Sequence, residues 1–317
     1  MKAVIQDRYG SPQVLRIAEI PIPEPGADEV LVEVLAMSVN PADWHSMRAK
    51  PAFSRLSLGL LRPKHRILGV DVAGRIDAVG SEVTRFKAGD EVYANLLDSG
   101  YGGFAEYVSA PVDFVSPKPA NLSFEEAAAV PMAAVTAFQG LQHHGEVRPG
   151  EKVLVNGASG GVGTFAVQIA KAFGAEVTGV TSTRNLELVR SIGADHVIDY
   201  TTTDFTRAGE QYDRILDAIG NRSVADLRRA LAEDGRAAVT GFTTVGRLLG
   251  VSLRGGKDIA QVTAHATAGD LEELTRLIEA GRVRPVIDRR YRLEEISQAI
   301  AYLEQGHTRG KVVVLAR

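Results

Sequence analysis

The run Val153-Leu154-Val155-Asn156-Gly157-Ala158-Ser159-Gly160-Gly161-Val162-Gly163 constrains this chain more than any other segment. An apolar stretch enters a glycine-rich turn, and a helix leaves it. Val162, Phe165, Ala166, Ile169, Ala170 and Phe173 then recur at the spacing of one helical face. Glycine lets the backbone turn tightly and approach a ligand with no side chain between. The N–H groups that open the helix face an anion. This geometry suits the pyrophosphate of a dinucleotide, with Ser159, Gly160, Gly161, Val162 and Gly163 around it. The loop departs from strict G-x-G-x-x-G, because Ala158 takes the first glycine's place while Gly160 and Gly163 fill the others. An ordinary structural turn is the alternative. The flanking strand and helix, and the second strand-like run Glu176–Thr181, favour the nucleotide site.

The chain has 317 residues, of which 45% are hydrophobic and 24% charged. That length exceeds one ordinary core, so two domains are expected. A net charge of −3 and the lack of a long basic run argue against a nucleic-acid face. With no cysteine, disulfides, thiolate zinc sites, iron–sulfur clusters and cysteine nucleophiles are excluded. This absence fits a reducing compartment, and a cytoplasmic location is expected. Met1–Asp7 meets an acid too early for a secretory leader, and Ala127–Phe138 is too short to span a bilayer.

The first part of the chain reads as β-rich: Ala3–Gln6, Val14–Ile20, Val30–Val39, Val70–Val79, Glu91–Tyr93 and Phe104–Val108 carry strand residues between turn signals. Ser123-Phe124-Glu125-Glu126 has the pattern of a capping box that opens a helix. After the glycine loop, strands are expected near Val177–Thr181, His196–Asp199, Arg214–Asp217, Ala237–Thr240 and Ile259–His265. Helices are expected near Leu186–Ile192, Val224–Ala232 and Leu271–Ala280. Such alternation argues a parallel sheet covered on both faces. The tail changes again, with a β-like stretch Val283–Arg292, a helix Leu293–Leu303 and a terminal strand Lys311–Leu315. We expect it to fold back on the first domain, with a cleft where the chain crosses twice. Phe53, Leu56, Leu58, Leu60 and Leu61 read as a lid for an apolar substrate or, preferably, as a helix packed into its domain.

Dinucleotide-binding domains selective for NAD place an acid about 20 residues beyond the glycine loop, on the ribose 2′-OH. Here that stretch reads Thr181-Ser182-Thr183-Arg184-Asn185 and holds no acid. Ser182, Thr183 and Arg184 are therefore candidates for a 2′-phosphate, and NADPH is the expected cofactor. Arg184 as a plain solvated residue is the alternative. Asp217–Gly220 and Thr240-Gly241-Phe242 end successive strands, where open α/β sheets bind ligands. Gly241 is expected to let the nicotinamide carboxamide meet the backbone, and Phe242 is a further candidate for cofactor binding.

Together the motifs resemble the zinc-free branch of the medium-chain dehydrogenase/reductases, the ζ-crystallin-like NADPH:quinone oxidoreductases. The resemblance rests on Leu68–Gly74, Val83–Val92, Gly102–Tyr107, Pro131–Ala137, the glycine loop, Gly193-Ala194-Asp195 with Asp199-Tyr200, and His307–Lys311. It implies an α/β protein with a GroES-like β-rich catalytic domain, 1–121 and 283–317, and a Rossmann doubly wound NADPH-binding domain, 122–282. The active site is implied to lie between them. It also implies Thr136 on the nicotinamide side, Tyr200 near the adenosine phosphate, and a homodimer through the edge strand Ile259–His265. Zinc members place ligands where this chain has Ser38-Val39-Asn40, Val70-Asp71 and Pro131–Ala134, so no metal is expected. The adjacent pair His143-His144 is no substitute.

The implied reaction is hydride transfer from NADPH to a quinone or an α,β-unsaturated carbonyl. Asn40-Pro41-Ala42-Asp43 matches the quinone-reductase turn, where Asn40 would offer its amide to the oxyanion or ribose and Asp43 would orient its neighbours. Quinone reductases often carry tyrosine where this chain has His45. His45 reads either as proton donor or as a wall residue with water supplying the proton. Other readings are a zinc-free alcohol dehydrogenase, an enoyl-thioester reductase, or a non-enzymatic NADPH-binding sensor.

Overall fold

The apolar run before the glycine turn becomes a strand whose Val153, Leu154 and Val155 are wholly buried, as a central strand covered on both faces requires. The computed structural model describes residues 1–316. They pack as two units: 1–132 with 266–279 and 285–316, and 133–265 with 280–284.

The first unit runs β1 (Lys2–Ile5), β2 (Arg16–Glu19), β3 (Glu29–Val39), α1 (Pro41–Arg48), α2 (Arg55–Leu58), β4 (Asp71–Val79), β5 (Glu91–Asn95), β6 (Tyr107–Pro111), β7 (Val115–Pro117) and α3 (Phe124–Ala128). Helix α4 (Pro131–Gln142) leads into the second unit. That unit contains β8 (Lys152–Asn156), α5 (Gly161–Ala172), β9 (Glu176–Thr181), α6 (Leu186–Ser191), β10 (His196–Asp199), β11 (Tyr212–Asp217), α7 (Val224–Ala230), β12 (Leu231–Val239), α8 (Val245–Arg254) and β13 (Ile259–Gln261). Then α9 (Ala268–Glu279), β14 (Ile287–Arg292), α10 (Ile296–Glu304) and β15 (Lys311–Leu315) return to the first unit.

In the second unit the sheet order is β10-β9-β8-β11-β12-β13, all parallel. The order reverses between β8 and β11. Open α/β sheets bind ligands at the carboxyl ends of the strands beside such a switch, and the glycine turn sits there. Leu154, Val180, Ile215 and Val239 pack with Phe205, Leu227 and Val251 beneath it. In the first unit a seven-stranded sheet runs β14-β15-β3-β4-β5-β7, with β6 paired to β3. Terminal β15 lies antiparallel to β3, so the tail returns to the first unit as expected.

Four expectations change. The unit boundary falls at Met132/Ala133, and α9 belongs with the β-rich unit rather than with the Rossmann domain, 122–282. The reason is specific: the Tyr93 hydroxyl donates to the Leu271 carbonyl at 2.8 Å, and Asn121 donates to the Ile278 carbonyl at 2.8 Å. The strand expected over Ile259–His265 stops at Gln261. The strand expected from Phe104 begins at Tyr107. The apolar segment after α1 forms only single turns, because Gly59 at φ 112 ends α2 after four residues. Most of its apolar side chains are exposed, Leu56 and Leu61 at 84% and 89%, and only Leu58 among them is half-buried. Helix α8 was not anticipated, although Thr244 caps it by accepting from the Arg247 N–H at 3.2 Å.

The capping box at Ser123 is present as read. Its hydroxyl accepts from the Glu126 N–H at 3.2 Å, and the Glu126 carboxylate accepts from the Ser123 N–H at 2.9 Å. Replacing Ser123 by Ala should cost about 1 kcal/mol, seen as a Tm decrease of about 2–4 °C. An unchanged Tm would mean that the box carries no stability.

Candidate functional site

In the first unit the predicted turn is assembled around a buried carboxylate. Val39 ends β3, Asn40 caps α1 from an extended conformation, and Pro41 occupies the first helical position, where its missing N–H costs nothing. The Asp43 carboxylate returns to the Asn40 N–H at 2.8 Å and reaches the Gly69 N–H at 3.1 Å. Asp43 thus orients its neighbours. Burial pushes its pKa up to about 7.

The Asn40 side chain is only 2% exposed, and both ends are committed. Its Nδ2 donates to Asp71 Oδ2 at 2.9 Å and to the Ser38 carbonyl at 3.4 Å, while its Oδ1 accepts from Lys311 Nζ at 2.5 Å. The side-chain amide expected to meet an oxyanion therefore holds the protein's own groups. Sequence reading missed Asp71 and Lys311 as partners. Asp71 also accepts from Ser38 Oγ at 3.0 Å, from the Met132 N–H at 2.9 Å and from Asn95 Nδ2 at 3.4 Å, with Lys311 Nζ at 3.5 Å. Burial raises the Asp71 pKa and lowers that of Lys311. Every partner of Asp71 is a donor, so we assign it as carboxylate and Lys311 as ammonium.

His45 lies on α1 with its ring 3.7 Å from that of Trp44. Its Nδ1 is 2.9 Å from the Lys50 carbonyl, which accepts only from a protonated nitrogen. Burial lowers its pKa, so the neutral ring with Nδ1–H is favoured.

In the second unit the glycine turn has the predicted form. Gly157 adopts φ 87, and its N–H and that of Ala158 both bond to the Val180 carbonyl, at 3.1 and 3.0 Å. A Cβ on Gly163 would lie 2.1 Å from the Gly157 carbonyl oxygen, so only glycine lets the helix approach the turn. The first i→i−4 bond of α5 runs from the Thr164 N–H to the Gly160 carbonyl at 2.9 Å. The amides of Gly161, Val162 and Gly163 precede it and are oriented for an anion. The residues fit a dinucleotide pyrophosphate at this point. Ser159 contributes differently: its buried hydroxyl accepts from Thr181 Oγ1 at 2.8 Å and Asn185 Nδ2 at 3.0 Å, tying the turn to the end of β9.

Ser182, Thr183 and Arg184 follow β9, and Tyr200 follows β10 with 54% exposure. Because β9 and β10 are parallel and paired, these residues share one end of the sheet. Gly241 lies at the end of β12, where a Cβ would stand 2.4 Å from the Ala218 carbonyl oxygen, and Phe242 follows it. Asp217 Oδ1 accepts from Asn156 Nδ2 at 2.7 Å and the Gly220 N–H at 2.9 Å, holding the ends of β8 and β11 together. Asp217 Oδ2, Thr240 Oγ1 and Asn185 Oδ1 are buried without a protein partner. Polar atoms left so at the sheet's ligand-binding end fit a polar ligand. Thr136 sits half-buried on α4.

Among the described residues no group of three His, Cys, Asp or Glu is placed to hold a metal ion. No helix among them is long and apolar enough to cross a membrane.

Residues 26–120 match the alcohol dehydrogenase GroES-like domain family, and residues 192–314 match the zinc-binding dehydrogenase family. A 2-methylene-furan-3-one reductase of Solanum lycopersicum is 36% identical over 99% of this chain and 79% of its own length. An NADPH-dependent alkenal/one oxidoreductase of Arabidopsis thaliana, chloroplastic, shows the same identity and coverage. Among solved structures, the quinone oxidoreductase from Coxiella burnetii superposes with a TM-score of 0.90 at 32% identity, covering 100% of this chain and 99% of that one.

Removing the positive partner of Asp71 tests the buried network. Lys311→Met should destabilise the protein by about 3–5 kcal/mol, because a carboxylate is left buried without its counter-charge. Lys311→Met combined with Asp71→Asn should recover part of that loss in denaturant titration. No recovery would show that the pair is not coupled. Asp43 makes a second prediction. Its raised pKa means that the fold favours the protonated acid. The stability it contributes is present below about pH 4 and is lost as pH rises through about 7. Between pH 5 and 8 the Tm of the wild type should fall relative to that of Asp43→Asn. Parallel Tm profiles would refute this assignment.

Proposed function

Because the chain belongs to the medium-chain dehydrogenase/reductases, in their zinc-free branch of quinone and alkenal oxidoreductases, we propose that it reduces a quinone or an α,β-unsaturated carbonyl with NADPH. The observation that carries this reading is the close-packed glycine turn, with the three α5 amides before the first helical bond, at the sheet's switch point. Where zinc members need His, Cys or Glu, the stretch Ser38-Val39-Asn40 holds none of these and its polar side chains are engaged by Asp71 and Lys311, Val70 has no metal-binding side-chain atom, and Asp71 is saturated by its own donors.

NADPH, when bound, supplies the hydride. The chain's residues bind and orient. Gly161, Val162 and Gly163 present backbone amides to the pyrophosphate, Gly160 caps α5 with its own N–H on the Gly157 carbonyl at 3.0 Å, and Ser159 keeps the turn in place from beneath. Ser182, Arg184 and Tyr200 are assigned to the phosphorylated ribose, with Thr183 beside them and its hydroxyl donated to Asp199. Thr136, Gly241 and Phe242 are assigned to the nicotinamide end. Asn40 and Asp43 act as positioning residues that hold the start of α1. His45, with Nδ1–H on the Lys50 carbonyl, leaves proton delivery to water. A homodimer through the edge of β13 and a cytoplasmic location complete the proposal. Sedimentation showing only monomer would remove the first, and fractionation with an organelle would remove the second.

The test is cofactor oxidation with a panel of quinones and enones, with product analysis to separate C=C from C=O reduction. Turnover should survive chelators. Gly163→Val should abolish NADPH binding in calorimetry while the fold persists by circular dichroism. Lack of turnover with every acceptor, or activity restored only by added zinc, would overturn the proposal.

A further inference from the structure

The stretch Thr181–Asn185 contains no acid, yet the fold brings one to it from the next strand. Thr181 at the end of β9 is paired with Asp199 at the end of β10. Asp199 Oδ2 accepts from Thr183 Oγ1 at 2.5 Å. Its Oδ1 accepts from the Thr201 N–H at 2.9 Å and from Thr201 Oγ1 at 2.7 Å, and the two threonine hydroxyls stand 3.1 Å apart. The carboxylate is thus held in one orientation by three donors, beside the very residues assigned to the phosphorylated ribose. It is only partly buried.

Two physical consequences follow. A hydroxyl has one hydrogen to give. Thr183 gives its hydrogen to Asp199, so it presents only lone pairs to an arriving anion. The carboxylate is also a fixed negative charge one side chain away, and like charges near one another raise the cost of both. The hydrogen bonds from Thr183 and Thr201 keep its pKa below the usual carboxylate range, so the charge is present at neutral pH. A 2′-phosphate would meet both the Arg184 guanidinium and this charge, whereas a 2′-hydroxyl is a donor that a carboxylate accepts.

We propose that Asp199 is a specificity-determining residue: its tethered carboxylate offsets Arg184 and narrows the preference for NADPH, so that NADH also serves as cofactor. This rests on the dinucleotide reading above and deepens it. Sequence spacing missed the residue because it lies 16 positions beyond Thr183, on a different strand.

Calorimetric dissociation constants for NADPH and NADH, measured without an acceptor, test the proposal in the wild type, Asp199→Asn and Arg184→Ala. The wild type should bind both cofactors. Asn at 199 keeps an acceptor for Thr201 and removes the charge. NADPH should then bind about threefold to tenfold more tightly, with NADH unchanged or weaker. That gain should shrink as salt rises. Arg184→Ala should shift the ratio the opposite way. A ratio in Asp199→Asn that stays within about twofold of the wild type, while either cofactor binds, overturns the role of Asp199 alone. Failure of every variant and the wild type to bind either cofactor overturns the dinucleotide reading, and this proposal with it.

Discussion

The Asp71 carboxylate holds the first unit's functional end together. It lies at the start of β4 and takes donors from the end of β3, the cap of α1, the end of β5, the first turn of α4 and the start of β15. These segments are distant in sequence. A charge with no exposure is tolerated only when it is paired and fully hydrogen-bonded, and Lys311 supplies the counter-charge from six residues before the end of the chain. The side-chain groups that engage Asn40 are therefore tied to one buried point, while Asp43 separately holds the start of α1 to the Asn40 and Gly69 amides. The cost of burying Asp71 is set against a single arrangement of five segments.

This network also explains how the site does without a metal. In zinc-dependent members, a cation would organise carboxylate, imidazole and thiolate side chains. Here the same part of the fold has valine at position 70, an asparagine amide at 40 and a lysine ammonium at 311. The ammonium is a fixed positive charge whose tetravalent nitrogen has no vacant orbital for a substrate oxygen, and it hydrogen-bonds to Asn40 and Asp71. Stabilisation of a developing oxyanion is left to groups other than the Asn40 side chain, whose two ends are spent inside the protein.

The second unit works by backbone rather than side chain. The turn after β8 is drawn onto β9 through the Val180 carbonyl and the Ser159 hydroxyl, and the absence of a Cβ at Gly163 lets α5 start against it. On the reading proposed above, selectivity within that frame depends on charges at the ends of β9 and β10. Parallel pairing sets Thr181 beside Asp199, and Arg184 follows Thr181 by three residues. Glycine geometry would admit the dinucleotide, and peripheral charge would discriminate its 2′ position.

The parallel sheet, the glycine turn, the capping box at Ser123 and the terminal strand at Lys311–Leu315 were legible from residues alone, because each is a local pattern of apolar period, turn chemistry or cap. Strand ends and the short turns before Gly59 were less so, because Gly59 takes φ 112 and ends α2 after four residues, leaving most of the segment's apolar side chains exposed. Residue identity likewise determined that no thiolate or imidazole occupies the usual metal positions. Only tertiary structure decided where α9 packs, that Asn40 is engaged by Asp71 and Lys311, and that Asp199 reaches Thr183. The physical reason is the same in each case. These contacts join segments through space, and spacing along a chain carries no information about which strand ends a sheet will bring together.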